Sequence, residues 1–197
     1  ATVEDGMFQI HKGSTTVIPV DYSITDEFLQ VVGMWLADGS YSNKVDGRVE
    51  IACANDRECL AVLKEFGRQM SVSEANPRGV GYRYGSRPLG RLFHGLGLKG
   101  DSYTKRVPNW VFGLSNRQIG HVLRGYFAGD GTISGRQVSW GSTSEGLYID
   151  IRNLLLRVGI CATGFRDATN KYDLVVKDES FRSASDFCWC GRITSKE

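Results

Sequence analysis

VVGMWLADGS at Val31–Ser40 and LRGYFAGDGT at Leu123–Thr132 are the stretches that organise this chain. Both run apolar, variable, Gly, three mostly apolar positions, a small residue, Asp and Gly. Asp38 and Asp130 stand about half of the 197-residue length apart, as in a duplicated unit. The surroundings repeat as well. Asp26 can cap a helix running through Phe28, Leu29, Val31, Val32, Met34, Trp35 and Leu36, and Asn116 can cap one through Ile119, Val122, Leu123, Tyr126 and Phe127.

Beyond each Asp-Gly, alternating segments read as strands: RVEIACA at Arg48–Ala54 and QVSWGS at Gln137–Ser142. Amphipathic helices follow over 56–70 and 144–158. Second strand pairs come next, over 72–76 with 81–85 and over 161–167 with 171–176. Final helices close each half over 88–96 and 179–189. The expected class is α+β, a pseudo-twofold duplicated αββαββα. Residues 1–20 form an N-terminal arm or strand, 21–110 the first repeat and 111–197 the second.

Gly33 with Ala37, and Gly125 with Gly129, are four residues apart and therefore share a helix face. A mid-helix Gly costs about 1 kcal/mol relative to Ala, so such a stripe implies close helix packing. If the two helices pack together, Asp38 and Asp130 meet at their C-terminal ends. Two carboxylates there repel each other and oppose the helix dipoles. A divalent cation offsets both terms, and Mg²⁺ takes carboxylate, water and phosphate oxygens. That chemistry suits phosphodiester hydrolysis. One Asp-Gly alone usually just ends a helix; two at equivalent places in a repeat favour the paired site.

VVGMWLADG and LRGYFAGDG resemble the two signature helices of the LAGLIDADG (dodecapeptide) homing endonucleases, single-chain two-motif type. The resemblance covers about 25–189. It implies two saddle-shaped antiparallel sheets flanking a central helix pair and lying along the DNA major groove. It implies Asp38 and Asp130 as metal ligands and catalytic acids, with Mg²⁺ or Mn²⁺ supporting cleavage and Ca²⁺ binding without it. The implied activity is a metal-dependent staggered double-strand cut at a long asymmetric site, by a monomer with pseudo-twofold symmetry.

Within LGLKGDSYTKRVP, Leu96–Pro108, Lys99 best matches the family's catalytic lysine and Lys105 is second. An ordinary phosphate contact or surface role competes for both. In the tail GRITSKE, Arg192 or Lys196 stands at the corresponding place. Asn55 matches a water-orienting polar position, with its counterpart near Ser142 or Thr143, or else it caps the next helix. Strand alternation offers Ser40, Ser42, Lys44, Arg48, Glu50 and Arg83 for base readout in the first half. The second half offers Thr132, Ser134, Arg136, Gln137, Ser139, Arg166 and Lys171.

The net charge of +2 hides an asymmetry. Between Ala75 and Gly125 stand Arg78, Arg83, Arg87, Arg91, Lys99, Lys105, Arg106, Arg117 and Arg124 against a single acid, Asp101. Such a stretch is either a solvated surface or a phosphate-binding one, whose contacts weaken with salt. No apolar run approaches the roughly 18–20 residues of a membrane span, and ATVEDGMFQ does not read as a signal peptide. Five irregularly spaced cysteines suggest reduced thiols and an intracellular setting, in the cytoplasm or an organelle. The scattered His11, His94 and His121 make a zinc site unexpected. The competing expectation is a protein of the same fold that binds nucleic acid without cutting it, such as an RNA maturase or a DNA-binding regulator. A small α+β binding module with purely structural Asp-Gly turns is the more distant one. No terminal splicing residues appear, and intron-encoded, intein-derived and freestanding origins all stay open.

Overall fold

In the computed structural model the described residues are 2–4, 7–9, 16–42, 47–52, 56–75, 81–134, 137–167 and 188–194. Helix α1 (Asp26–Asp38) carries nine consecutive buried residues, Phe28–Leu36, because it is covered on all sides. Helix α4 (Asn116–Asp130) is its partner, and the two are the most extensively packed helices of the molecule. The small stripe is the reason. A Cβ on Gly33 would overlap the Val122 carbonyl oxygen, and one on Gly125 would overlap that of Gln30. Backbones pack against backbones here, which only glycine permits.

Both caps lie one residue earlier than expected. Thr25 Oγ1 accepts from the Phe28 N–H at 3.1 Å, so Thr25 is the N-cap and Asp26 the first helical residue. Ser115 caps α4 in a reciprocal box with Gln118, and Asn116 is already helical. Neither helix ends in a turn. Gly39 and Gly131 lead directly into strands β4 (Gly39–Tyr41) and β7 (Gly131–Ser134) with φ of −78° and −83°. Glycine stands there for space: a Cβ on Gly131 would overlap the Phe127 carbonyl, and one on Gly39 would overlap the Trp35 ring.

In the first half, β5 (Val49–Ala52) pairs antiparallel with β4 and with β6 (Gly81–Arg83), in the order β4-β5-β6. Val49 and Ile51 point into the core. Helix α2 (Arg57–Gln69), capped by Asp56, and α3 (Arg87–Gly95), capped by Ser86, complete this half. Phe28, Phe66, Phe93 and Tyr84 interlock with ring centroids 5.6–6.3 Å apart. Residues 72–76 contribute only an isolated bridge, Glu74 to Tyr84, among those described.

In the second half, β7, β8 (Gln137–Ser142), β9 (Thr163–Asp167) and β10 (Cys188–Thr194) form an antiparallel sheet in the order β7-β8-β10-β9. Helix α5 (Glu145–Arg157), capped by Ser144, lies beside it. Phe127, Trp140 and Tyr148 form its aromatic core. The expected last helix is corrected at its end. Cys188 and Trp189 are strand, pairing with Asp167 and with Ser142 and Arg166, because β10 fills the gap between β8 and β9. Gly191–Thr194 of the GRITSKE tail are therefore part of an inner strand. The rest of that helix and the strand over 171–176 lie outside the described residues.

The N-terminal arm is a small antiparallel sheet, β1 (Thr2–Glu4), β2 (Met7–Gln9) and β3 (Ile18–Pro19). The linker between the halves holds a short 3-10 helix over Asn109–Gly113. Among the described residues no helix is long and apolar enough to cross a membrane.

Candidate active site at the helix-pair end

Asp38 and Asp130 are the last residues of α1 and α4 and converge where the helices meet. A Cβ on Gly129 would sit 2.6 Å from Asp38 Oδ2 and 2.7 Å from Ala37 Cβ. Burial raises the Asp38 carboxyl above the usual range, and the charge of Lys105 opposes this. Asp130 is pushed up to about 6, first by burial and then by the Asp38 charge; Tyr126 and Lys105 pull it back. Mutual repulsion of paired carboxylates is the expected signature of such a site.

Lys105 lies beside them. It is 4% exposed, and its Nζ donates to the Trp35 and Ala37 carbonyl oxygens, each at 3.0 Å. These carbonyls end α1, where a cation is favoured. The ammonium also lies 4.9 Å from the Trp35 ring centroid. Burial lowers its pKa to about 8, against the charges of Asp130, Asp38 and Asp101. An ammonium has three donors, and the two carbonyls leave a third. Lys99, preferred on sequence, is exposed on the rim of the neighbouring cleft. Chain order could not rank the two lysines, because the difference is burial.

Three clefts meet at Asp38. The largest, about 880 Å³, runs past Ser40, Tyr41, His94, Lys99 and Lys105. A second, about 490 Å³, joins Asp38, Lys105 and Asp130 to Thr132, Ser142 and Thr143. The third, about 180 Å³, reaches Ala52, Asp56 and Cys59. Asn55 lies outside the described residues. Ser142 and Thr143, its expected counterparts, do line the Asp130 cleft, although Ser142 Oγ accepts from the Ser144 N–H.

The strand registers define the outer sheet faces. In the first half Ser40, Glu50 and Arg83 are cross-strand neighbours. Glu50 and Arg83 form an ion pair with each other, so neither stands alone as a base reader. Ser42 Oγ accepts from the Arg48 N–H. In the second half Thr132, Ser139, Arg192 and Thr163 make one row. Gln137 and Ser134 make the next, opposite Val138 and Trp140 as alternation requires. Arg192 is a new member of this face, missed because its segment was not read as strand. Arg166 lies in β9, but its side chain is outside the described set, as are Lys44, Arg136, Lys171 and Lys196.

The basic stretch is less available than its composition suggests. Beyond Arg83, Arg106 pairs with Asp150, Arg117 with Asp26 and Arg124 with Glu58, while Lys105 is buried. Arg87 and Lys99 are exposed as well and extend the stretch over the surface.

The comparisons with known proteins bear on the fold. A family model described as a LAGLIDADG-like domain matches residues 117–186. The fold is similar to that of I-DmoI in its complex with DNA and Mn at a TM-score of 0.56, with 10% identity, covering 86% of this chain and 89% of that one. This is a LAGLIDADG fold. The resemblance drawn from the two Asp-Gly helices therefore holds for the fold class. Full-length DUF199/WhiA from Thermatoga maritima shares the fold at a TM-score of 0.52, with 13% identity, covering 89% of this chain and 53% of that protein. Among relatives by sequence, a DNA polymerase II large subunit from Thermococcus kodakarensis is 35% identical over 136 residues, 65% of this chain and 7% of that protein. An iron-sulfur cluster assembly SufBD family protein from Mycobacterium leprae is 26% identical over 170 residues, 79% of this chain and 19% of that protein. The chain thus spans less than a fifth of each of these two curated relatives.

Among the described residues no cluster of three or more His, Cys, Asp or Glu gathers as a metal site. Two raised carboxylates remain. They fit a hard cation that completes its shell with water and phosphate oxygens, not one needing a closed protein cage.

Proposed function

We propose that this chain is a site-specific, divalent-metal-dependent endonuclease that makes a staggered double-strand cut in DNA at a long asymmetric site. The observation that carries the reading is the convergence of Asp38 and Asp130 beside the Lys105 amine. Asp38 and Asp130 would hold Mg²⁺ or Mn²⁺; when bound, the cation polarises the scissile phosphate and makes water more acidic. Solved I-DmoI complexes contain DNA with Mn or with Ca, which supports a divalent ion in this fold. The two carboxylates, one from each repeat, would align the ion. Lys105 presents positive charge and a donor N–H where negative charge builds on the phosphoryl oxygens. The protonated amine also suits transfer of a proton toward the leaving oxygen. The outer faces of both sheets supply groove contacts, and their different side chains favour an asymmetric target.

Residues 21–110 and 111–197 act as the two half-site readers of a monomer, with 1–20 as an arm. The curated relatives include a polymerase, an iron-sulfur assembly protein and a DNA gyrase subunit, and the matched piece is a minor part of each. A piece shared by proteins of unrelated activity supports the reading of a mobile insert such as an intein endonuclease.

The test is cleavage-end mapping on a randomised DNA library with Mg²⁺. A staggered cut at one long sequence is expected, with Asp38→Asn and Asp130→Asn losing cleavage and keeping binding. Cutting by the double variant at the wild-type rate overturns the mechanism. Specific binding without any cut by the wild type moves the chain to the silent-binder class.

A further inference from the structure

Lys105 is fastened from two sides. Its amine is held by α1 of the first repeat. Its backbone is held by the second: Ser144 Oγ donates to the Lys105 carbonyl at 2.9 Å, and Thr143 Oγ1 donates to that of Ser102 at 2.5 Å. The dominant tie is Asp150 on α5. This residue is 4% exposed, and its carboxylate accepts three hydrogen bonds from the residues just after Lys105. Arg106 Nε and Nη2 donate at 2.7 and 2.9 Å, and the Val107 N–H donates at 3.0 Å. Arg106 lies close along α5, where a Cβ on Gly146 would meet its Cδ at 2.4 Å in the absence of glycine's bare backbone.

We propose that Asp150 is a positioning residue: through Arg106 and Val107 it sets the linker so that the Lys105 amine reaches the Asp38–Asp130 pair. The inference rests on the nuclease reading for its consequence, but the placement itself is independent of it. A buried carboxylate accepting three hydrogen bonds is a rigid anchor; weakening it frees the exposed Arg106 side chain to water and leaves the buried Val107 N–H without its acceptor. The linker from Asp101 to Val107 then pivots on the turn held by Asp101, whose side chain accepts from the Tyr103 and Thr104 N–H groups. Lys105 closes that turn, its N–H donating to the Asp101 carbonyl at 3.0 Å, and moves with it. The lysine of one half-site is thereby positioned by the repeat that carries the opposite Asp.

Two readouts test this on the whole chain. The first is lysine acetylation of the DNA-free protein, read peptide by peptide, with exposed Lys64 on α2 as the internal reference. Lys105 is expected to be shielded in the wild type and several-fold more reactive in Asp150→Asn, with Lys64 unchanged. The second is single-turnover cleavage: a loss of about 10- to 100-fold at saturating DNA is expected, with the half-saturating DNA concentration unchanged. Arg106→Gln leaves the Val107 tie intact on a largely exposed side chain, so it keeps the test alive if the Asp150 variant fails to fold. It is expected to shift both readouts in the same direction by less. Unchanged Lys105 shielding overturns the proposal, and so does raised reactivity with a wild-type cleavage rate. If the wild type cuts no DNA, the nuclease reading fails, while the acetylation result still decides the placement.

Discussion

At the residue scale, the raised carboxyls make a statement about stability. Asp130 has its folded pKa near 6, above an ordinary aspartate. The folded state therefore holds this proton more tightly than the unfolded chain does. The resulting stabilisation is complete below the unfolded pKa and is lost as pH rises through about 6. At neutral pH the ionised pair is a net cost that a bound cation would remove. Asp130→Asn is expected to stabilise the metal-free protein at pH 7.5 by about 1–3 kcal/mol, and to show little effect near pH 4. Urea unfolding across that range checks it; a destabilised variant at pH 7.5 would mean that Lys105 and Tyr126 outweigh burial and the Asp38 charge at Asp130.

At the element scale, the helix pair depends on where its glycines lie. Gly125 touches the Gln30 backbone, while Gly120 on the same helix has nothing within 4 Å of a built Cβ. Gly125→Ala is expected to cost more than about 3 kcal/mol, because backbone atoms cannot yield as side chains can. Gly120→Ala is expected to stabilise by up to about 1 kcal/mol through helix propensity. Thermal melts of the two variants separate packing from propensity. If both variants lose stability equally, the helices do not approach as described.

At the scale of the whole molecule, the two outer sheet faces differ in kind. The first carries a neutralised Glu50–Arg83 pair and hydroxyls; the second carries Arg192 between Ser139 and Thr163. Arg192→Ala is expected to relax base preference at one or two positions of one half-site, at about 1–3 kcal/mol of discrimination per contact. Arg87→Ala, at an exposed position at the start of α3, is expected instead to weaken binding evenly over all sequences and to reduce its salt dependence. Selection from a randomised target, read at two salt concentrations, distinguishes them. A uniform loss for Arg192→Ala would place it on a phosphate and not on a base.

The duplicated Asp-Gly motif, the glycine stripes and the alternation of Val49, Ile51, Val138 and Trp140 sufficed to read the fold, because helix and strand periodicities are local properties of the chain. The same local signals located Asp38 and Asp130, since motif position fixes a helix end. Three matters needed the tertiary structure. Lys105 and not Lys99 is the buried amine, because burial depends on which carbonyls and rings surround a side chain. Cys188–Thr194 is a central strand, because its partners, β8 and β9, come from far earlier in the chain. Four of the nine basic residues of the positive segment, Arg83, Arg106, Arg117 and Arg124, are ion-paired, because Glu50, Asp150, Asp26 and Glu58 reach them only after folding. Covalent sequence dictates periodicity and motif; solvent exclusion and long-range pairing, which dictate reactivity here, arise only when the two halves close on each other.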